Sequence, residues 1–319
     1  MASRPSLFAL SVWSAGSFGA ATGCRPDIRE LAPITGDYAC HFVDECAIAV
    51  GGEVALQAQH LHGGNWVTTS IGSVAIDPQT IAGATIENGL VIVHTLAAGT
   101  GQITAEDITG ESLAADIRVV PVESTDVELL QAFDSNTALW GGFAVFRGTS
   151  VDVIAKHRDS EGKLLLGHGI ETWAITGGTL QEIESGSAAP GETYKNRLVR
   201  TVVPAADATE VSVTAGSGDP FVIDVALPGS TARLELASSA TFRLGEQGQT
   251  ISVRSFADDG QAIYGDLANA VTAEVTDSAI ARSQVIAART IAIDPIARGT
   301  TSLVVSFDGI EATFPITIE

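Results

Sequence analysis

Apolar and polar residues alternate along many short segments of this chain of 319 residues. The alternation is clearest in three pairs of apolar positions, namely Ile103 with Ala105, Val211 with Val213, and Leu303 with Val305. A turn rich in Gly and Asp follows each pair, and a second alternating segment follows each turn. A period of two residues places every second side chain on one face of a strand, so each segment predicts a β-hairpin with one buried face.

These hairpins belong to an internal repeat. They recur at residues 98–119, 206–227 and 298–318. An alternating strand precedes each of them, at Val54 and Leu56, at Val151 and Val153, and at Ile251 and Val253. Repeats of about a hundred residues that each end in a hairpin are typical of tandem β-domains. We therefore predict three all-β domains at 27–122, 123–228 and 229–319, joined by short Pro-containing connections into a short rod.

The first residues differ from the rest of the chain. One positive charge, Arg4, precedes the apolar segment 7–13, and small residues then run up to Cys24. This order is typical of a secretory signal peptide, which we assign to 1–23, and the apolar segment is too short to span a bilayer. Small residues that run into a cysteine resemble a bacterial lipoprotein signal, although Ala21 stands where leucine is usual.

The resemblance implies that Cys24 is acylated and anchors the mature protein in a membrane, with 24–26 as a short tether. The expected location is the bacterial cell envelope, with an outer-membrane anchor. Ordinary cleavage nearby is the alternative, and it would leave Cys24 as a spare thiol.

The number of cysteines agrees with an exported protein. The sequence holds three cysteines, so acylation of Cys24 leaves Cys40 and Cys46 as an even pair. Exported proteins fold in an oxidising environment, and we therefore predict a disulfide between Cys40 and Cys46. The alternative is a metal site formed by the two thiols and His41, for which the sequence offers no clear fourth ligand.

A tryptophan-containing strand recurs in the first two repeats, and the third repeat lacks the tryptophan. The three segments are 66–70, 173–177 and 273–277. A Trp-x-x-Ser/Thr strand, a segment like 279–281 and an Ala-x-Gly-Thr hairpin recur in this order in bacterial Ig-like domains, and the chain resembles that family of invasin- and intimin-type domains. The resemblance implies antiparallel Ig-like β-sandwiches, and it implies no chemistry because the family has no common catalytic site. We expect Trp66 and Trp173 to pack in the sandwich cores.

Charge and motif content narrow the functions further. Lys and Arg number 17 against 38 Asp and Glu, which gives a formal net charge of −21. Such a surface repels phosphate backbones and anionic lipid headgroups, so nucleic acid is not an expected partner. The sequence contains no nucleophile elbow, phosphate-binding loop or His-Glu-x-x-His motif. We predict a non-enzymatic protein that needs no cofactor and no metal.

Two alternatives to this prediction concern metals. Acidic turns such as 159–162 and 258–260 would suit calcium, although backbone geometry alone explains Asp and Gly in hairpin turns. His60 and His62 would share one face of a strand beside a turn at 63–64, which a polar hairpin also explains.

The second repeat departs from the other two by longer segments. One excess surrounds Trp140 and Phe143, and another includes Tyr194 and Arg197 in the densest basic patch of the chain. Aromatic residues and arginine dominate binding hot spots, so these four residues are the predicted site for a surface polysaccharide or a protein partner. The alternative is that Trp140 and Phe143 cover a sandwich edge or a domain junction.

The expected function is a structural, adhesive or display module of the cell envelope. A specific binding module with its site on the second domain is one alternative, and an auxiliary subunit of an exported enzyme complex is the other.

Overall fold

The computed structural model describes residues 29–34, 46–62, 65–130, 143–182, 199–246, 248–265, 271–287 and 289–319. Within these ranges the regular elements are 27 β-strands, named β1 to β27 along the chain. No helix in these ranges is long and apolar enough to cross a membrane.

The first sandwich consists of two sheets around one core. One sheet has the order β1 (Arg29–Pro33), β3 (Glu53–His62), β7 (Leu90–Thr95) and β6 (Ala82–Glu87), with β4 (Asn65–Thr69) also beside β3. The other has the order β2 (Ile48–Ala49), β9 (Ser112–Val120), β8 (Gly99–Asp107) and β5 (Ile71–Asp77). Neighbouring strands are antiparallel except that β2 runs parallel to β9. Leu56 of one sheet and Ile103 of the other are fully buried in the common core.

The second sandwich repeats this plan. One sheet has the order β10 (Ser124–Leu129), β12 (Val151–Arg158), β16 (Val199–Pro204) and β15 (Gly178–Glu182), with β13 (Leu164–Leu165) beside β12. The other has the order β11 (Phe143–Phe146), β18 (Phe221–Ala226), β17 (Glu210–Ala215) and β14 (Trp173–Thr176). The short strand β11 runs parallel to β18, as β2 does to β9.

The third sandwich has the same two sheets. One has the order β19 (Arg233–Leu236), β21 (Gln249–Phe256), β25 (Thr290–Pro295) and β24 (Ala281–Ala287), with β22 (Ala262–Tyr264) beside β21. The other has the order β20 (Thr241–Phe242), β27 (Ile310–Ile318), β26 (Gly299–Phe307) and β23 (Thr272–Val275). This strand order is that of the Ig sandwich, with a short added strand parallel to the last one. The predicted all-β class of tandem antiparallel Ig-like sandwiches is confirmed.

The three hairpins predicted from alternation are also confirmed. Strands β8 and β9, β17 and β18, and β26 and β27 pair antiparallel. Ile103, Val211 and Leu303 are each 0 % exposed. In the last hairpin Asp308 and Gly309 both have positive φ, at 50° and 83°, which is the geometry of a two-residue type I′ turn. Asp and Gly tolerate this conformation better than other residues, so the sequence specifies this turn locally.

The proposed equivalence of the tryptophan strands is wrong for the first sandwich. Trp173 lies on β14, which pairs with β17, and β23 pairs with β26 in the same way. Trp66 lies on β4, which pairs with β3 in the opposite sheet, and β5 is the strand that pairs with β8. Alternation marks a strand without specifying its partner, so the pattern does not distinguish β4 from its neighbour β5. Trp173 is partly buried against the second core, as expected, while the Trp66 side chain lies outside the described residues.

The turn at 216–218 gives a first stability prediction. A methyl group added in Gly218→Ala would collide with the carbonyl oxygen of Thr125 on β10, whose backbone is paired with β12. We expect this variant to lose about 1–3 kcal/mol of unfolding free energy in chemical denaturation, as overpacked sites do. In Gly83→Ala the added methyl meets nothing within 4 Å, so this control should keep its stability or gain up to about 1 kcal/mol. Equal losses in the two variants would contradict the prediction.

Candidate functional site

The second and third sandwiches share one continuous sheet. Strand β11 lies between β18 of its own sandwich and β22 of the third sandwich, and both pairs are parallel. Ala144 lies opposite Ile263, and Val145 lies opposite Tyr264. The result is a nine-stranded sheet that contains strands of both sandwiches. The junction is therefore built from paired backbone as well as from side-chain packing.

The first and second sandwiches join in the same way over a shorter length. The amide of Ala49 donates to the carbonyl of Leu166 at 2.8 Å, and the amide of Leu166 donates to the carbonyl of Ala47 at 2.9 Å. Glu53 and His168 exchange two more backbone hydrogen bonds, of 2.9 and 3.1 Å. Four backbone hydrogen bonds between described residues thus cross this junction.

Both junctions pair the same two elements, and both pairs run parallel. Ile48 of β2 bridges in parallel to Leu166, and Val145 of β11 lies opposite Tyr264. Leu166 and Tyr264 correspond to each other by their place after a hairpin. Leu166 follows Leu165, which pairs with His157 near the end of β12, and Tyr264 follows Ile263, which pairs with Ser255 near the end of β21. The repeat therefore extends from the sandwiches to the contacts between them.

The second sandwich places one side chain in the core of each neighbour. Leu166 is 4 % exposed and packs in the core of the first sandwich. Phe146 is 0 % exposed and packs in the core of the third sandwich, with its ring centroid 5.8 Å from that of Phe307. Burial of a whole leucine or phenylalanine side chain contributes roughly 1.5–3 kcal/mol. Separation of the sandwiches would expose both side chains to water.

A buried arginine supports the second junction. Arg289 donates from Nη1 to the carbonyl of Ile263 at 2.8 Å and from Nη2 to the carbonyl of Gly265 at 2.6 Å. Its guanidinium also lies 4.6 Å from the ring centroid of Phe307 and 5.7 Å from that of Phe146. The planar guanidinium can donate in its plane and stack on aromatic faces at the same time. Arg289 thereby fixes β22 where β11 pairs with it.

A buried polar chain supports the first junction. The Nδ1 atom of His157 lies 2.9 Å from Oγ1 of Thr125, and Nε2 lies 2.8 Å from Oε1 of Glu171. The amide of Gly169 donates to the other carboxylate oxygen at 2.9 Å. Hydroxyl, imidazole and carboxylate follow one another as in a hydrolase triad, but the His157 and Glu171 side chains are only 1 % and 7 % exposed. Substrate cannot reach groups buried to this extent, so these hydrogen bonds are structural. They hold the segment that carries Leu166.

The charge state of Glu171 follows from this arrangement. Burial alone would raise the pKa of its carboxyl group, but the hydrogen bond and charge of His157 and the amides of Glu171 and Gly169 act in the opposite direction. The net effect lowers the pKa of Glu171 below its ordinary value. The carboxylate is therefore the form that the folded second sandwich stabilises.

Of the four predicted binding residues, the structure describes only Phe143. Phe143 is 5 % exposed, and its ring lies 5.3 Å from that of Phe221 and 5.8 Å from that of Tyr264. It therefore packs at the junction, which is the alternative that the sequence left open. Trp140, Tyr194 and Arg197 lie outside the described residues. A site for a polysaccharide or protein on these three residues stays a prediction.

The cysteines are described only in part. Cys46 is half-buried against the first core and does not carry a free thiol. Cys40 and Cys24 lie outside the described residues, so both the Cys40–Cys46 disulfide and the acylation of Cys24 stay predictions. Among the described residues, no three His, Cys, Asp or Glu side chains are grouped so that they could hold a metal ion.

Sequence reasoning missed the junction strands, although one of them carries a recognisable pattern. Residues 143–146 are four consecutive apolar residues, and all four are buried. An unbroken apolar run of this length is typical of a strand covered on both faces. The junction strand of the first sandwich, β2, is not recognisable in this way because it spans only Ile48–Ala49.

Comparisons with known proteins give a fold-level likeness only. No protein-family model matches the sequence, and no curated protein matches it. Domains 5–6 of the S-layer protein SbsC are 16 % identical, with a TM-score of 0.29, over 56 % of this chain and 92 % of that one. Invasin, a bacterial integrin-binding protein, is 11 % identical, with a TM-score of 0.25, over 92 % of this chain and 60 % of that one. The D00–D0 domain of intimin is 10 % identical, with a TM-score of 0.20, over 60 % of this chain and 96 % of that one. These low TM-scores carry no argument about function.

Proposed function

We propose that this chain is a non-enzymatic module of the bacterial cell envelope that spaces or displays what it is attached to. The observation that carries the proposal is the repeated junction, in which one strand of the first sandwich and one of the second each pair in parallel with the sandwich that follows. A flexible connection would suffice to tether three independent domains. Two successive junctions with paired backbone, each with a side chain of the second sandwich in the core of its neighbour, instead fix the geometry, which is what a spacer requires.

Small-angle X-ray scattering of the full chain tests this proposal. The native protein should scatter as one rigid particle. The variant Leu166→Ala with Phe146→Ala removes both side chains that the second sandwich places in its neighbours, and it should scatter as a flexible array with a larger mean radius of gyration. Val222→Ala with Leu227→Ala is the control, because these side chains are 47 % and 49 % exposed. A native protein that already scatters as a flexible array would contradict the proposal.

The proposal includes anchoring through Cys24. Acylation there would supply more than one lipid chain, and two membrane signals are enough for stable anchoring, at about 0.8 kcal/mol per buried CH₂. Cys24→Ser should move the protein from the membrane fraction to the soluble fraction, measured by fractionation of intact cells and immunoblotting. Cys46→Ser is the matched control, which should leave the membrane fraction unchanged. Retention of the Cys24→Ser variant in the membrane would reject the lipid anchor and leave the spacer role to the scattering test.

A further inference from the structure

The two junctions define two complementary edges. The donor edge is the short strand that runs parallel to the last strand of its own sandwich, as β2 and β11 do. The acceptor edge is the segment that returns beside the long second strand, which includes Leu166 in the second sandwich and β22 in the third. Each junction joins the donor edge of one sandwich to the acceptor edge of the next.

The first sandwich has an acceptor edge that no described donor strand covers. Its strand β4 lies beside β3 as β13 lies beside β12 and β22 beside β21. Val67 pairs with His60 as Leu165 pairs with His157, and Ile263 lies on the same face of its strand, opposite Ser255. Val67 is 42 % exposed, whereas Leu165 is 5 % and Ile263 is 1 % exposed. Both counterparts pack in clusters that include residues of the preceding sandwich. Val67 therefore marks an acceptor edge that no strand in the described ranges pairs with.

The donor edge of the third sandwich is closed by its own side chain. Arg243 follows β20 and occupies the position of Ala49. The next residue in each case, Val50 or Leu244, donates its amide to a carbonyl at the end of the last strand of the same sandwich. The amide of Ala49 binds the following sandwich, whereas that of Arg243 donates to Oε1 of Gln249 at 2.8 Å. The Nε2 atom of Gln249 donates back to the carbonyl of Arg243, also at 2.8 Å. The Arg243 side chain is 77 % exposed, and charged residues of this kind protect sheet edges against pairing.

We propose that the acceptor edge of the first sandwich, β4 with Val67, binds an extended strand of a protein partner. The two internal donors define the chemistry of that strand. They read Ala47-Ile48-Ala49 and Ala144-Val145-Phe146. The partner strand has a small residue, a β-branched residue and an uncharged apolar residue in this order, and it runs parallel to β4. Strand addition of this kind takes affinity from main-chain hydrogen bonds and specificity from alternate side chains.

The partner is a different protein rather than a second copy of this chain. A second copy would have to offer β20, and Arg243 would then enter a position that is fully buried in the other two donors. Thr241 would also replace the alanine that is 2 % exposed in both. Burial of an arginine is costly unless its guanidinium is paired or hydrogen-bonded, as that of Arg289 is. The strand β4 has no charged residue, so it matches an apolar strand and offers nothing to Arg243.

Uncapping the third sandwich tests whether the edge is competent without the natural partner. In the full chain, Thr241→Ala, Arg243→Ala and Gln249→Gly together remove the three features that keep the third donor edge from pairing. This triple variant should self-associate as its concentration rises, measured by sedimentation velocity, while the native chain stays monomeric. Addition of Val67→Lys should abolish the association with an unchanged melting temperature. Self-association of the native chain would identify a second copy as the occupant, and a monomeric triple variant would show that the edge accepts no strand. Either result would overturn the proposal.

A peptide probe tests the partner chemistry directly. The probe is a fluorescent peptide of residues 44–52 with serine in place of Cys46, added to the native full chain and followed by anisotropy. Val67→Lys should weaken its binding at least tenfold, and Thr68→Ala should leave binding unchanged because Thr68 lies on the opposite face of β4 from Val67. A peptide with proline at the position of Ala49 lacks the donating amide and should not bind. Equal binding of the peptide to the native chain and to the Val67→Lys variant would overturn the proposal, as would no binding at all.

Discussion

Phe146→Ala is expected to lower the free energy of unfolding of the third sandwich by about 3–5 kcal/mol, the usual cost of deleting a buried phenylalanine. The ring belongs to β11 of the second sandwich but packs in the third core against Phe307 and near Arg289. The variant therefore removes a core residue and weakens the junction at once. Chemical denaturation of the full chain measures the first effect. Hydrogen exchange of the β22 amides measures the second, and we expect protection of those amides to fall.

Phe242→Ala is the matched control for this prediction. Phe242 is 3 % exposed and packs in the same core, but it belongs to the third sandwich itself. Its loss should cost a similar free energy while β11 and β22 stay paired. The two variants should therefore differ in hydrogen exchange at Ala262–Tyr264 and not in overall destabilisation. Equal exchange at β22 in the two variants would show that Phe146 fills a core without holding the junction.

Glu171→Gln is expected to lower the stability of the second sandwich at neutral pH by about 1.5–3 kcal/mol, the range for hydrogen bonds to charged groups. The folded state holds the pKa of Glu171 below its ordinary value of 4.5. Its contribution to stability is therefore complete above pH 4.5, decreases as the pH falls, and disappears below the folded pKa. The native protein should lose stability on acidification more steeply than Glu171→Gln does.

Urea denaturation at a series of pH values measures this difference. Glu182→Gln serves as the control, since the Glu182 side chain is 78 % exposed and its pair with Arg200 is a surface ion pair. Exposed pairs contribute little, so this variant should follow the native pH profile. Parallel profiles for the native protein and Glu171→Gln would show that the carboxylate does not supply the acid sensitivity.

The fold class could be predicted because its signals are local. Alternation at positions such as Ile103 and Val211 fixes which side chains of a strand are buried, and turn residues such as Gly309 fix where a hairpin reverses. The pairing partner of a strand is not a local property. Trp66 and Trp173 occupy strands of similar pattern that join different sheets, and nothing in either segment distinguishes them.

The junctions could be predicted only in part for the same reason. The excess around Phe143 was visible in the sequence, and one of its two interpretations, cover at a domain junction, matches the buried ring. Which sandwich receives Phe146 depends on a register set by residues far away in the chain, such as Tyr264. The hydrogen bond between His157 and Glu171 likewise joins a strand to a later loop, and no local pattern in the sequence predicts that the two meet.

The side chain of Phe146 also means that the unit of the repeat differs from the unit of cooperative folding. A polypeptide that starts after the second repeat would form the third sandwich without this ring, with a hole beside Arg289. A polypeptide that ends after the second repeat would leave the Phe146 ring exposed to water. Leu166 has the corresponding relation to the first core. The three sandwiches are therefore separate in their sequence pattern and coupled in their unfolding, so that the loss of one withdraws a core residue from its neighbour.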